Sequence, residues 1–294
     1  QWSSSAASDV YKRQGQRLDW FDSQEIIFEF ILTIFCFYIF LSHIFTTNNP
    51  FINLNIFLNK NYFLGLLIMF LFGTILWTPL IIYPPMMQDL QNYPEDLTGV
   101  FLALRGLGTL CGSTLLVFIN KKLDPRFILS IGFLLQGIAG FYMSHFDINL
   151  SAFELAWTNS LAGLGVGFVW VPLTLITFNT LDKKFLNEAS AFWHLIRNIG
   201  SSISISITIA LVIRSTAINY ADLSSFISIF GDSTSVMPLK GTTAPSGVES
   251  LSGLSKEIVR QSEMIGYINA FHLYYWIAFS IIPLVWLAPL KPQN

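Results

Sequence analysis

Apolar residues dominate seven stretches of the chain, with short polar segments between them. The stretches are Glu25–Phe45, Tyr62–Tyr83, Leu97–Ile119, Phe127–His145, Phe153–Phe178, Ala189–Ile213 and Gly266–Leu287. About 20 apolar residues make a helix long enough to cross bilayer hydrocarbon. There every backbone N–H and C=O has to be paired within its own segment, so spans of this length are helices. The pattern predicts an all-α membrane protein with seven transmembrane helices. Pro79 and the pair Pro84-Pro85 should kink the second span and end it. Pro172, after GLGVGFVW, should kink the fifth.

The polar segments set orientation. Lys60, Lys121, Lys122, Arg126, Lys183, Lys184 and Lys291 fall in alternate loops, whereas Met86–Asp96 and Phe146–Ala152 hold no Lys or Arg. Positive charge stays cytoplasmic in short loops, which places the segment before Glu25 outside and the C-terminus in the cytoplasm. The long connection at about 214–263 is then external. It is rich in Ser, Thr and Gly and is expected to be flexible, above all over Ser233–Gly253, with Ser255–Met264 more compatible with helix. The opening QWSSSAASDVYKRQ has no apolar run and cannot be a signal peptide. It is read as a sequencing or assembly scar over residues 1–14, ahead of what is expected to be the tail of a longer protein. An odd number of spans suggests one appended helix and six that form a unit.

Composition agrees with a membrane setting. The chain is 53% hydrophobic and 12% charged, with a mean hydropathy of +0.56. Soluble domains carry about 25% charged residues. The 27 Phe and 8 Trp suit lipid-facing and interfacial positions. A net charge of -2 without a basic run argues against a nucleic-acid partner. Cys36 and Cys111 lie inside apolar runs and read as small core residues rather than a disulfide or metal pair. No GxSxG, HExxH, CxxC or phosphate-loop motif occurs, and no Lys falls inside a span. Neither a cofactor nor a metal is expected, and nothing resembles an enzyme's active site.

The candidates are the polar groups that lipid should exclude. Arg105 in the third span and Arg197 in the sixth must each face a bundle interior or aqueous cavity and find a partner, since a central charge costs roughly 2.5–3.5 kcal/mol even on lenient scales. They enter from opposite sides and are expected at different depths. His194, three residues before Arg197, shares its face and is a candidate proton relay. His272 has similar standing near the outer end of the last span, and His43 and His145 mark helix ends. No acid lies deep in any span. Asn159 completes this set. Gly108, Gly112, Gly163, Gly167 and Gly200, with the serines after Gly200, have the small-residue spacing that lets helices approach closely in lipid.

Several segments then match a known family in order and spacing. GQRLDWFDSQEI, NPFINLNIFLNKNYF, the LRGLG at Leu104–Gly108, LDPR at Leu123–Arg126, VPLTLITFNTL, NEASAF and RNIGSSI resemble the second half of EmrB/QacA-type drug:proton antiporters, the 14-spanner branch of the major facilitator superfamily. The resemblance covers roughly Gly15 to Leu290. It implies an external segment, an inserted linker helix and a cytoplasmic linker over residues 15–61. A six-helix C-terminal transporter domain over 62–290 follows. Lys121, Lys122, Asp124 and Arg126 would form a conformational gating loop, although Val117 and Phe118 stand where relatives often have Gly-Arg. Asn269 stands where an acid is common.

The resemblance further implies a multidrug or small-molecule exporter of a bacterial inner membrane, working by proton antiport and alternating access. Its partners would be the lipid bilayer, protons, a small amphipathic or cationic substrate, a missing N-terminal half and a periplasmic adaptor. Trp77 and Trp170 would line the cavity and meet cations with their ring faces. Arg105 and Arg197 would be a positional or coupling pair. Competing readings are a stand-alone seven-helix receptor or structural module, and an exporter of a siderophore, lipid or metabolite.

Overall fold

Long helices joined by short turns make up the whole of a computed structural model that describes residues 24–46, 54–119, 123–225 and 247–288. In chain order the helices are α1 (Gln24–Thr46), α2 (Lys60–Pro85), α3 (Glu95–Ile119), α4 (Pro125–Met143), α5 (Ala152–Phe178), α6 (Leu186–Ser225) and α7 (Gly247–Trp286). Among the described residues, six of them, α2 to α7, are long and apolar enough to cross a membrane. In α1 the apolar stretch is Ile27–Phe40. Its 23 residues rise about 34 Å, comparable to bilayer hydrocarbon. The fold is thus an all-α membrane domain, as the apolar runs require.

Two compact units share the chain. One contains the described residues of Gln1–Leu58 with Leu181–Phe192, the other those of Asn59–Thr180 with Trp193–Asn294. In the first, Phe57 packs edge-on against Phe192 with ring centroids 5.0 Å apart. Helix α1 turns Phe28, Phe35 and Tyr38 outward.

The second unit holds the candidate groups. Helix α5 lies along α3 and α4, α4 lies along α7, and α2 packs on both α5 and α7. Helix ends are fixed by local hydrogen bonds. Asn59 caps α2 by accepting from the amides of Asn61 and Tyr62 at 3.1 and 3.3 Å. Its Nδ2 also donates to the Thr180 carbonyl at 3.0 Å, and Thr180 Oγ1 donates back to Asn59 Oδ1 at 2.9 Å. The start of α2 is thereby tied to the end of α5. Ser151 and Glu154 form a reciprocal capping box at the start of α5.

The α-helical part of α2 ends at Pro85, where the proline pair is expected to end it. Helix α2 runs through Pro79 to Pro85 and then widens into a π-helical turn, Met86–Leu90. Proline has no N–H to donate and crowds the preceding turn, and a wider turn accommodates that without stopping the helix. The end comes at Asn92, whose φ of 54° is left-handed, where the Tyr93 amide bonds the Met87 carbonyl at 3.0 Å. Helix α5 likewise continues through Pro172.

The connection expected as a loop over 214–263 is helical at both ends. Helix α6 reaches Ser225 and α7 begins at Gly247. The α6 extension rests on the start of the last span: Asn269 Nδ2 donates to Ser215 Oγ at 2.6 Å, and a Cβ at Gly266 would meet Thr216 Oγ1 at 2.5 Å and the Val212 carbonyl at 2.9 Å. Most of the stretch expected to be flexible, residues 226–246, lies outside the described residues, as do the scar at 1–14 and the gating-loop residues Lys121 and Lys122. Cys36 and Cys111, read as small core residues, are both exposed and free. They lie on outward faces of α1 and α3, where an apolar run reflects a lipid setting rather than a protein core.

Candidate functional site

Glycine brings α3 and α5 into backbone contact. A Cβ at Gly108 would overlap the Ser160 carbonyl and one at Gly163 the Arg105 carbonyl; at Gly112 and Gly167 it would meet the Leu164 and Thr109 carbonyls, each at 2.6 Å. Thr109 Oγ1 bridges the pair, 3.0 Å from the Arg105 carbonyl and 3.1 Å from the Gly163 carbonyl. Helix α6 meets α2 in the same manner, with Gly200 on the Phe70 carbonyl and Gly73 on the Arg197 carbonyl. Ser201 Oγ donates to Gly73 at 3.3 Å and Ser204 Oγ to Thr74 at 3.0 Å. These approaches hold the two arginine-bearing helices.

Arg105 points into the unit and is 5% exposed. Its Nη2 donates to the Leu76 carbonyl of α2 at 3.1 Å. The guanidinium also interacts with the Tyr274 hydroxyl of α7 and lies near Tyr83 of α2. Tyr274 donates on to Gln136 Oε1 of α4 at 3.4 Å, and Tyr83 shares a 3.1 Å hydrogen bond with Thr158 of α5. Asn159, beside Thr158, is fully buried. The result is a polar cluster drawn from five helices.

Arg197 belongs to a second cluster. It is half-buried, lies over the Trp170 ring at 5.5 Å, and donates to Asn198 Oδ1 from Nε at 3.3 Å and Nη2 at 3.1 Å. Trp170 continues into an aromatic stack with Phe72 at 6.0 Å and Trp193 at 5.9 Å. Trp193 touches Phe178 and His194 at 5.7 and 5.1 Å. His194 therefore rests on an aromatic edge rather than on Arg197. Trp77 is 43% exposed and stands outside the stack.

Both arginines meet α2, each through a different part of the residue. The Arg197 backbone meets α2 at Gly73 and the Arg105 guanidinium meets it at Leu76, about 4.5 Å further along the axis. They reach α2 from different helices, and no contact joins them. At the far end of the unit Asp124 caps α4 by accepting from the Arg126 amide at 2.9 Å, with Pro125 in the first turn. The Arg126 side chain donates to the Ala288 carbonyl beyond α7. Arg126 so joins the LDPR segment to the end of α7.

A model of the Major Facilitator Superfamily matches residues 10–205 of the chain, two thirds of its length. The chain belongs to the major facilitator superfamily. Nearly all of it also aligns with individual facilitators. It is 24% identical over 277 residues to the multidrug export protein EmrB of Escherichia coli K12, covering 94% of this chain and 54% of that protein. It is 26% identical over 282 residues, with the same coverage, to the probable multidrug resistance protein EmrY of that organism. The fatty acid resistance protein FarB of Neisseria gonorrhoeae is 23% identical over 278 residues, again at 94% and 54%. The chain spans about half the length of the curated relatives it matches. Superfamily membership makes it a transporter-type membrane chain rather than an enzyme.

Within this facilitator unit the sequence exposed Arg105, Asn159, Arg197, Trp170 and His194, but not Tyr83, Gln136, Thr158 or Tyr274, which complete the Arg105 cluster, nor Phe72 and Trp193. Gln136 is the one that could have been found. It is a fully buried amide inside an otherwise apolar span, which is the signal that singled out Asn159.

Proposed function

We propose that the chain is the C-terminal half of a secondary active exporter of the plasma membrane, moving small amphipathic compounds outward by proton antiport with alternating access. The observation that carries this reading is that similarity to export proteins runs through 94% of the chain rather than through one motif. The clusters fit the work. Trp170 with Arg197 offers a half-buried aromatic and charged surface. The glycine-lined seams of α3 and α6 are of the kind that rocking bundles use. The gonococcal relative, a fatty acid resistance protein, brings amphipathic acids into the substrate range beside drugs.

In this reading the C-terminus is cytoplasmic and the partners are a second, N-terminal six-helix bundle, protons and a periplasmic adaptor. Proton coupling requires a titratable group, and the spans here carry His194 and His272 but no deep acid. The coupling acid is therefore assigned to the N-terminal bundle. Ethidium efflux from cells expressing the full transporter tests the reading. Arg197→Ala should lower efflux at equal membrane abundance, and undiminished efflux would overturn the role given to this cluster.

A further inference from the structure

The cluster around Arg105 has more hydrogen-bond donors than its neighbours can receive. Arg105 Nη1, Gln136 Nε2 and Asn159 Nδ2 are all buried without a partner, and so is Asn159 Oδ1. Arginine offers five N–H groups and each amide two, against one amide oxygen left over. Arg105 also carries a full positive charge and has no carboxylate partner among the described residues; its guanidinium meets the Leu76 carbonyl and the Tyr274 hydroxyl. A buried charge is costly unless paired. A water molecule would satisfy the N–H groups but would leave the charge.

The three donor groups belong to one connected cluster. Tyr274 lies between Arg105 and Gln136. Asn159 sits one turn before Gly163, whose backbone abuts that of Arg105, and next to Thr158, which bonds Tyr83 beside the guanidinium. A planar anion with two oxygens matches this set, because arginine pairs with carboxylates through parallel N–H groups. We infer that Arg105, with Asn159 and Gln136, binds a carboxylate-sized anion within the six-helix unit, supplied in transport by the acid group of an amphipathic substrate. This rests on the exporter reading for its physiological role and gives that exporter an anionic substrate class.

The test uses the full transporter in lipid nanodiscs and two probes of matched shape, 4-phenylbutyrate and 4-phenylbutylammonium, with thermal unfolding as the readout. The acid should stabilise the protein saturably and the amine should not. Arg105→Gln should weaken the acid's apparent affinity at least tenfold. Asn159→Ala should weaken it several-fold and serves where the arginine variant does not fold, while Arg260→Gln should leave it unchanged. Equal stabilisation by both probes, or wild-type affinity for the acid in both cluster variants, would overturn the site. Replacing sodium methanesulfonate with sodium chloride separates the two sources of anion. Arg105-dependent stabilisation by chloride without any by the acid would keep an anion at Arg105 but overturn its supply by substrate. Ethidium efflux is read alongside. Binding through Arg105 in a protein that exports nothing would overturn the exporter function alone, and efflux without Arg105-dependent binding would overturn the anion site alone.

Discussion

Replacing Gly163 by alanine adds one methyl group at the tightest point of the α3–α5 seam. That methyl would fall on the carbonyl oxygen, carbonyl carbon and Cα of Arg105. All three are backbone atoms of a helix, so no side chain can rotate out of the way and the helices must separate. Overpacking of this kind costs about 1–3 kcal/mol. Separation also strains the Thr109 bond to the Gly163 carbonyl, worth about 0.5–1.5 kcal/mol. Against this, alanine is favoured over glycine in a helix by about 0.8–1.0 kcal/mol. The net expectation is destabilisation by roughly 0.5–3.5 kcal/mol. Gly106 is the internal control, since a Cβ there meets nothing within 4 Å. Gly106→Ala should therefore be neutral or stabilising by up to about 1 kcal/mol. The two variants are compared with wild type by denaturant unfolding of the full transporter in mild detergent, followed through tryptophan fluorescence. If Gly163→Ala unfolds together with Gly106→Ala, the α3–α5 contact is not the close backbone seam described above.

Two further outcomes follow from the geometry. Asn59→Ala removes the α2 cap and the link to Thr180 together, so the same unfolding measurement should show a loss of about 1–2 kcal/mol, with Asn59→Asp keeping the cap and losing less. In a background lacking Cys36 and Cys111, Ser224→Cys and Lys256→Cys should react with a membrane-impermeant maleimide added outside intact cells. Each 40-residue helix is about 60 Å long, twice the hydrocarbon thickness, and reaction only after permeabilisation would reverse the proposed orientation.

What the sequence made legible follows from the solvent. Lipid forces apolar runs of a set length, so the seven helices could be read directly. It also penalises charge, so Arg105 and Arg197 stood out. The extensions of α6 and α7 leave the hydrocarbon, where that constraint lapses. A Ser- and Thr-rich stretch such as Ser215–Thr216 reads as loop until its partners Asn269 and Gly266 are known. The members of the Arg105 cluster were hidden for a related reason. Tyr83 and Tyr274 look like ordinary aromatics of an apolar span, and only the pairing of α2, α4, α5 and α7 turns their hydroxyls toward one guanidinium.

The same pairing bears on how the unit could move. In their apolar stretches α2 and α5 are each 61% buried, against 28% for α3 and 22% for α6. The two arginines are thus carried by the less enclosed helices, while Leu76, which accepts from Arg105, and Trp170, which Arg197 overlies, lie on the more enclosed pair. Each loosely enclosed helix is held across a seam of glycine, serine and threonine, where contact is backbone to backbone and few side chains interlock. Sliding α3 along α5 by a fraction of a turn would move Arg105 relative to Tyr274 and Asn159, and would shift Phe101 of α3 against the core around Tyr83 and Phe271. A ligand that pairs with Arg105 would then favour one position of α3 over the other by the difference in its contacts, which is the condition for binding to drive a conformational change.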